Sequence, residues 1–174
     1  RLIEQLRGRN EREGMEVVDL TALAGEAAAR CQDRAPRPAV RCQAPASVRA
    51  NRERLTSVVE HLIRNAQDAT SESGSIEIEV LGSVSQAQLT VSDNGSGMTA
   101  DFLRDRLFRP FDSTKGSKGM GIGAYQVREY VHQLGGSVEV QSSPGQGTRF
   151  SITLAQVEPA SSVRATSAIE RVSS

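Results

Sequence analysis

The sequence predicts an α+β fold, a two-layer sandwich with helices on one face of a mixed β-sheet. Three observations point there. Stretches of alternating apolar and polar residues, such as Ile76-Glu77-Ile78-Glu79-Val80, lie between stretches whose apolar residues recur at steps of three and four. The order runs from a helix stub through mixed strands and helices to a closing hairpin. The length of 174 residues, with 37% apolar and 24% charged, suits about one domain with a single core plus a short extension.

Taken in order, residues 1–14 place Leu2, Ile3 and Leu6 at helical spacing, the end of a helix or a linker that Gly14 closes. Glu16 to Leu20 reads as a short strand, and Asp19 or Thr21 can cap the helix that follows until Pro36 and Pro38 break it. Val40 to Gln43 and Ser47 to Ala50 are short edge strands. From Asn51 to about Glu72, Leu55, Val58, Val59, Leu62, Ala66 and Ala69 form one buried stripe of a long helix. Ser75 to Leu81 and Gln88 to Asp93 alternate as an antiparallel hairpin around Gly82 to Gln86. Asn94 to Gly123 is irregular and glycine-rich. A helix from Ala124 to Leu134 stops at Gly135-Gly136, and Ser137 to Gln141 and Thr148 to Leu154 are strands around SPGQG. One domain therefore spans 15–157, and 158–174 is an aperiodic Ala/Ser-rich tail expected to be mobile.

Twenty-one basic and twenty-one acidic residues give zero formal net charge, so no global field invites nucleic acid or an anionic membrane. No apolar run is long enough to span a bilayer, and the start is neither Met nor a signal peptide; the expectation is an excised cytoplasmic fragment. Cys31 and Cys42 fit neither a zinc site nor a disulfide scaffold. Only two of the basic residues are lysines, Lys115 and Lys118, and both fall in a glycine-rich stretch.

Chemistry concentrates in four places. On the long helix His61, Asn65 and Asp68 are spaced i, i+4, i+7 and share a face; the amide oxygen of Asn65 suits Mg²⁺, a hard cation, although any amphipathic helix has a polar face. In DNGSGM, Asp93 to Met98, an aspartate leaves a strand ahead of two glycines and offers an acceptor to an exocyclic amine such as that of adenine; the alternative is an Asn-Gly turn. In KGSKGMGIGAY, Gly119, Gly121 and Gly123 alternate before a helix, where backbone amides and the helix terminus can cradle phosphate, with Lys115 or Lys118 supplying charge. The spacing is neither a dinucleotide fingerprint nor a Walker A loop, and a flexible linker shares the composition. In LFRPF, Leu107 to Phe111, two of four phenylalanines flank a proline, as an apolar anchor for a mobile loop or as core.

In this order and spacing HLIRNAQDA, DNGSGM, LFRPFDSTK, GMGIG and GQGT resemble the motif boxes of the GHKL ATP-binding superfamily, which includes sensor histidine kinases, gyrase-type topoisomerases, Hsp90 and MutL. The resemblance covers about Met15 to Leu154 and is greatest to the catalytic domain of a sensor histidine kinase; the spelling of the boxes is similar to that of PEP-CTERM (exosortase-linked) kinases. It implies a Bergerat-type ATP-binding fold, with ATP and Mg²⁺ bound. Asn65 would hold the metal, Asp93 would accept the adenine amino group, Gly95 and Gly97 would let the base approach, and Met98 and Ile122 would line the nucleotide. Lys115, Gly119, Gly121 and Gly123 would form the lid, and Thr148 would support the adenine pocket. His61 and Glu60 join Asn65 as catalytic candidates. Glu60 is one position away from where the ATPase branch carries its water-activating carboxylate, and Asp68 stands where many kinases have Lys.

The implied partners are a histidine-bearing dimerisation domain and a response regulator, with no nucleic acid and a monomeric fragment. Of the two histidines, His61 and His132, neither has the context of a phosphoacceptor. Whether the parent kinase is anchored in the inner membrane stays open. A gyrase- or Hsp90-type ATPase and a non-enzymatic module with a degenerate pocket are the competing readings.

Overall fold

A computed structural model of the chain describes residues 14–109 and 123–159. Among them the order is β1 (Met15–Asp19), α1 (Leu20–Arg30), β2 (Pro38–Ala44), β3 (Ser47–Asn51), α2 (Arg52–Ala69), β4 (Ile76–Gly82), β5 (Gln86–Asp93), α3 (Ala100–Asp105), α4 (Ala124–Gln133), β6 (Ser137–Ser143) and β7 (Gly147–Ala155). Five strands form one sheet in the order β2-β4-β5-β7-β6. The β2-β4 pair is parallel and the others are antiparallel, so the sheet is mixed as expected.

Among the described residues, three of the four helices begin at a residue whose side chain satisfies amides that have no partner within the helix. Asp19 accepts from Thr21 and Ala22 N–H, Asn51 from Arg54 N–H, and Thr99 from Phe102 N–H. Helix α2 buries Leu55, Val58, Val59, Leu62, Ile63 and Ala66 against the sheet face made by Ile76, Ile78, Val80, Leu89, Val91, Phe150 and Ile152. Each buried Val, Leu, Ile or Phe side chain among them contributes about 1.5–3 kcal/mol on burial. The opposite face is polar, with Glu77, Glu79, Gln88, Ser92 and Arg149 in alternate register and Thr90 bonded to Ser151 at 3.3 Å. Helix α4 ends at Gly135, whose φ of +79° is the left-handed turn that the glycine pair predicts.

Three expectations change. The segment starting at Val40 is an edge strand of the main sheet, but β3 pairs with β1 in a separate two-stranded sheet. The irregular region contains α3, a six-residue helix with no buried residue. Ala69, placed on the buried stripe, is only partly covered, and Gln67 lies fully buried instead. The segment 1–13, expected as a helix end or linker, lies outside the described residues, as does nearly all of the tail. Gln156 and Val157 still bond to the body of the domain, through Ser85 and Ser47.

Candidate nucleotide-binding site

The segment Asn94 to Met98 leaves β5 and is clasped from two sides. Ser96 N–H donates to Ala69 O at the end of α2 at 2.9 Å, and Ser96 O accepts from Gly145 N–H in the β6-β7 turn at 2.8 Å. Met98 N–H reaches Ser142 Oγ at 2.8 Å. Backbone meets backbone here without room for side chains. A Cβ on Gly95 would lie 2.2 Å from Ala69 O, and one on Gly97, whose φ is +69°, would lie 1.9 Å from Ser143 O. These glycines therefore allow protein backbone to approach protein backbone, a requirement the sequence reading had assigned to the ligand.

The clasp holds the end of β5 in a lateral row. Asp93 pairs with Thr148 on β7, and Thr148 pairs with Ser142 on β6, so the three side chains lie on the helix-facing side of neighbouring strands. The Asp93 carboxylate accepts from Gly95 N–H at 2.9 Å, and the Thr148 backbone amide also favours its ionised form. Burial pushes its pKa above the usual aspartate value, and these bonds oppose that shift without cancelling it. Thr70, just beyond α2, also favours the ionised form. The Thr70 hydroxyl oxygen is buried and has no hydrogen-bond partner among the described residues.

On α2, Asn65 Nδ2 contacts His61 Nε2 at 3.0 Å. An amide nitrogen only donates, so in this contact Nε2 is the acceptor. This turns the Asn65 nitrogen to His61 and leaves its amide oxygen at the other end, the donor type that Mg²⁺ takes. The Asp68 carboxylate is ion-paired with Arg34 of the α1-β2 loop.

Glu60, also a catalytic candidate, lies about 140° round the helix from Asn65, and its carboxylate pairs with Arg30 of α1 at 3.5 Å, beside Glu53 and Glu26.

Lys115, Gly119, Gly121 and Ile122 lie outside the described residues. Gly123 is described, and its N–H donates to Gln126 Oε1 at 2.6 Å, so in this conformation that amide caps α4. Of the LFRPF anchor, Leu107 packs partly buried against the core and Phe108 lies under the Arg128 guanidinium at 4.5 Å. A cavity of about 400 Å³ opens elsewhere, lined by Arg34, Arg37, Glu72 and Ile76 among others, and none of the predicted site residues lines it.

Sequence reasoning missed two residues. Gln67, 1% exposed, donates from its amide to Cys31, Arg34 and Pro36 carbonyls and so ties α2 to the α1-β2 loop. Ser142 is the second; its position in an alternating strand gave no chemical signal.

Residues 50–158 match the model of the histidine kinase-, DNA gyrase B- and HSP90-like ATPase family. The chain belongs to that family. The match spans α2, the Asp93 row and the closing β6-β7 turn, the elements that meet at the clasp. Among curated relatives, the C4-dicarboxylate transport sensor protein DctB of Rhizobium meliloti is 41% identical over 106 residues, covering 60% of this chain and 17% of its own length. The sensor histidine kinase ZraS of Escherichia coli K12 is 36% identical over 107 residues, 62% of this chain and 23% of the relative. The chain thus spans less than a quarter of either. The mycobacterial sensor histidine kinase MprB has the same fold, with a TM-score of 0.71 at 22% identity over 83% of this chain and 99% of that one. Full-length ShkA in complex with AMPPNP gives a TM-score of 0.72 at 25% identity, over 84% of this chain and 32% of that one. Within the ATPase family, these relatives carry the names of a transport sensor protein and of sensor histidine kinases. Among the described residues no helix is long and apolar enough to cross a membrane.

Proposed function

We propose that this chain is the ATP- and Mg²⁺-binding catalytic domain of a two-component sensor histidine kinase, which donates the γ-phosphoryl group to a histidine on a dimerisation domain. The response regulator downstream is the further partner. What supports the reading most is the half-buried Asp93 carboxylate at the end of β5, held by the Gly95 backbone amide, on the side of the sheet that α2 covers with Asn65 on its polar face. The carboxylate takes the adenine amine, which can only donate.

Asn65 would hold Mg²⁺, which when bound neutralises charge on the triphosphate. His61 keeps the Asn65 amide turned, so that its oxygen, not its nitrogen, is the end a metal can use. The phosphates would be bound by the segment that carries Lys115, Gly119, Gly121, Ile122 and Gly123, as the family resemblance implies. Phosphoryl transfer needs mainly positioning and charge stabilisation, and this set of groups supplies both without a general base. The hydrolytic branch of the family is not favoured, because the carboxylate it would need, Glu60, is paired with Arg30.

Titration calorimetry with ATP and Mg²⁺ tests the binding half; no heat at millimolar nucleotide sinks it. Adding a separately expressed dimerisation domain tests the transfer half, and acid-labile phosphate on that domain is the expected product. Steady ATP hydrolysis with no phosphorylated histidine would return the ATPase reading.

A further inference from the structure

We propose that Ser142 is a positioning residue for purine selectivity: it fixes the proton of the Thr148 hydroxyl, so that Thr148, like Asp93, offers a bound purine acceptor capacity only. The proposal rests on the ATP-binding reading above and deepens it.

The argument is a proton count at one hydroxyl. Ser142 Oγ makes three contacts, with Met98 N at 2.8 Å, Gly147 O at 2.9 Å and Thr148 Oγ1 at 2.8 Å. A backbone N–H can only donate, and a carbonyl can only accept. Ser142 therefore accepts from Met98 and gives its single proton to Gly147 O. Nothing remains with which it can donate to Thr148. In the third contact Thr148 must be the donor, and Ser142 has used its one proton and both lone pairs.

The consequence passes along the row Ser142, Thr148, Asp93. Thr148, only 8% exposed, has its hydroxyl proton directed toward β6, away from β5. Toward Asp93 it retains lone pairs. Asp93 is an acceptor too, so the end of the row calls for hydrogen-bond donors, either on the base or on a water that the base holds. A 6-amino purine brings donors to that edge. A 6-oxo purine brings an acceptor, and with the Thr148 rotor free one proton could turn to meet it. Ser142 removes that option and at the same time anchors the Met98 amide at the edge of the clasp.

The experiment uses the whole 174-residue chain and two nucleotides, ATP and inosine triphosphate, which differ at the 6-position and the adjoining ring nitrogen. Dissociation constants are measured with Mg²⁺ for the wild type, Ser142→Ala and Ser142→Thr, with thermal unfolding monitored in parallel. The wild type is expected to prefer ATP. Ser142→Ala is expected to narrow that preference by about fivefold to tenfold, the scale of one neutral hydrogen bond, chiefly by tightening inosine triphosphate. Ser142→Thr, which keeps the hydroxyl, is expected to retain the wild-type ratio.

Equal weakening of both nucleotides in Ser142→Ala would show a merely structural serine and overturn the proposal, with the ATP-binding reading intact. If the wild type binds neither nucleotide, the functional reading falls and the proposal with it. Should Ser142→Ala fail to fold, Thr148→Val against Thr148→Ser decides. The valine variant loses the acceptor and should narrow the ratio, while the serine variant should keep it; an unchanged ratio in Thr148→Val overturns the proposal.

Discussion

Replacing Asp93 with Asn separates recognition from stability more cleanly than any other change in this fold. The amide keeps the size of the carboxylate and one acceptor oxygen for Gly95 N–H, but its NH₂ group replaces an acceptor with a donor. Toward an adenine amine this sets donor against donor. A hydrogen bond to a charged group is worth about 1.5–3 kcal/mol, so ATP affinity should fall roughly tenfold to hundredfold.

Stability should move the other way or not at all. Burial raises the Asp93 pKa above its value in the unfolded chain, so the folded state binds the proton more tightly. The contribution of that proton is fully present below the unfolded pKa and is lost as pH rises through the folded one. At pH 7 the folded wild type thus holds an ionised carboxylate at a cost, and the neutral amide of Asp93→Asn removes it. The midpoint of thermal unfolding of Asp93→Asn at pH 7 should equal or exceed that of the wild type, and any advantage should shrink on acidification through the range where Asp93 protonates. Calorimetric titration with ATP and Mg²⁺, with differential scanning calorimetry at several pH values, reads both effects. Unchanged affinity would refute the adenine role, and a midpoint several degrees lower would show that the carboxylate holds the clasp together instead.

Other positions give sharper or blander outcomes. Asn65→Ala should reduce Mg²⁺-dependent nucleotide affinity at least tenfold, read by titration with and without EDTA, and leave the unfolding midpoint nearly unchanged because the side chain is only partly buried. Gly97→Ala should destabilise by roughly 2 kcal/mol or more, since a left-handed φ of +69° and a contact of 1.9 Å to Ser143 O act together; chemical denaturation measures it. Gln67→Leu should cost about 3 kcal/mol or more, because buried carbonyls of Cys31 and Pro36 lose their shared donor, again seen in the denaturation midpoint. Glu60→Ala should change stability by about 1 kcal/mol, as a partly exposed ion pair does, and should leave phosphoryl transfer to a dimerisation domain intact; loss of transfer would make Glu60 a catalytic group.

Much of the fold was legible because its signals are local. The alternation through Ile76 to Val80 and the stripe through Leu55, Val59 and Leu62 follow from the periods of strand and helix, and the cap at Asp19 uses a side chain that reaches only two or three residues. The short helix α3 escaped because six residues with none buried leave no periodic pattern to detect. The separate pairing of β3 with β1 escaped as well, since both read as short strands and nothing local selects the partner. At the site the residue types were legible: Asp93 and Asn65 stand in motifs whose spacing is distinctive. Their surroundings were not.

The sequence by itself determined the alternation of strands and helices, the positions of the glycines and the family to which the chain belongs, because each depends on residues near one another along the chain. Only the tertiary structure decided what those residues do to each other. It turned Glu60 toward Arg30 and Asp68 toward Arg34, pressed Gly97 against the β6-β7 turn, and brought Ser142 within 2.8 Å of Thr148 and, through it, into line with Asp93. Carboxylates and hydroxyls act over a few ångströms in directions set by the packing of distant segments, and no local pattern carries those directions.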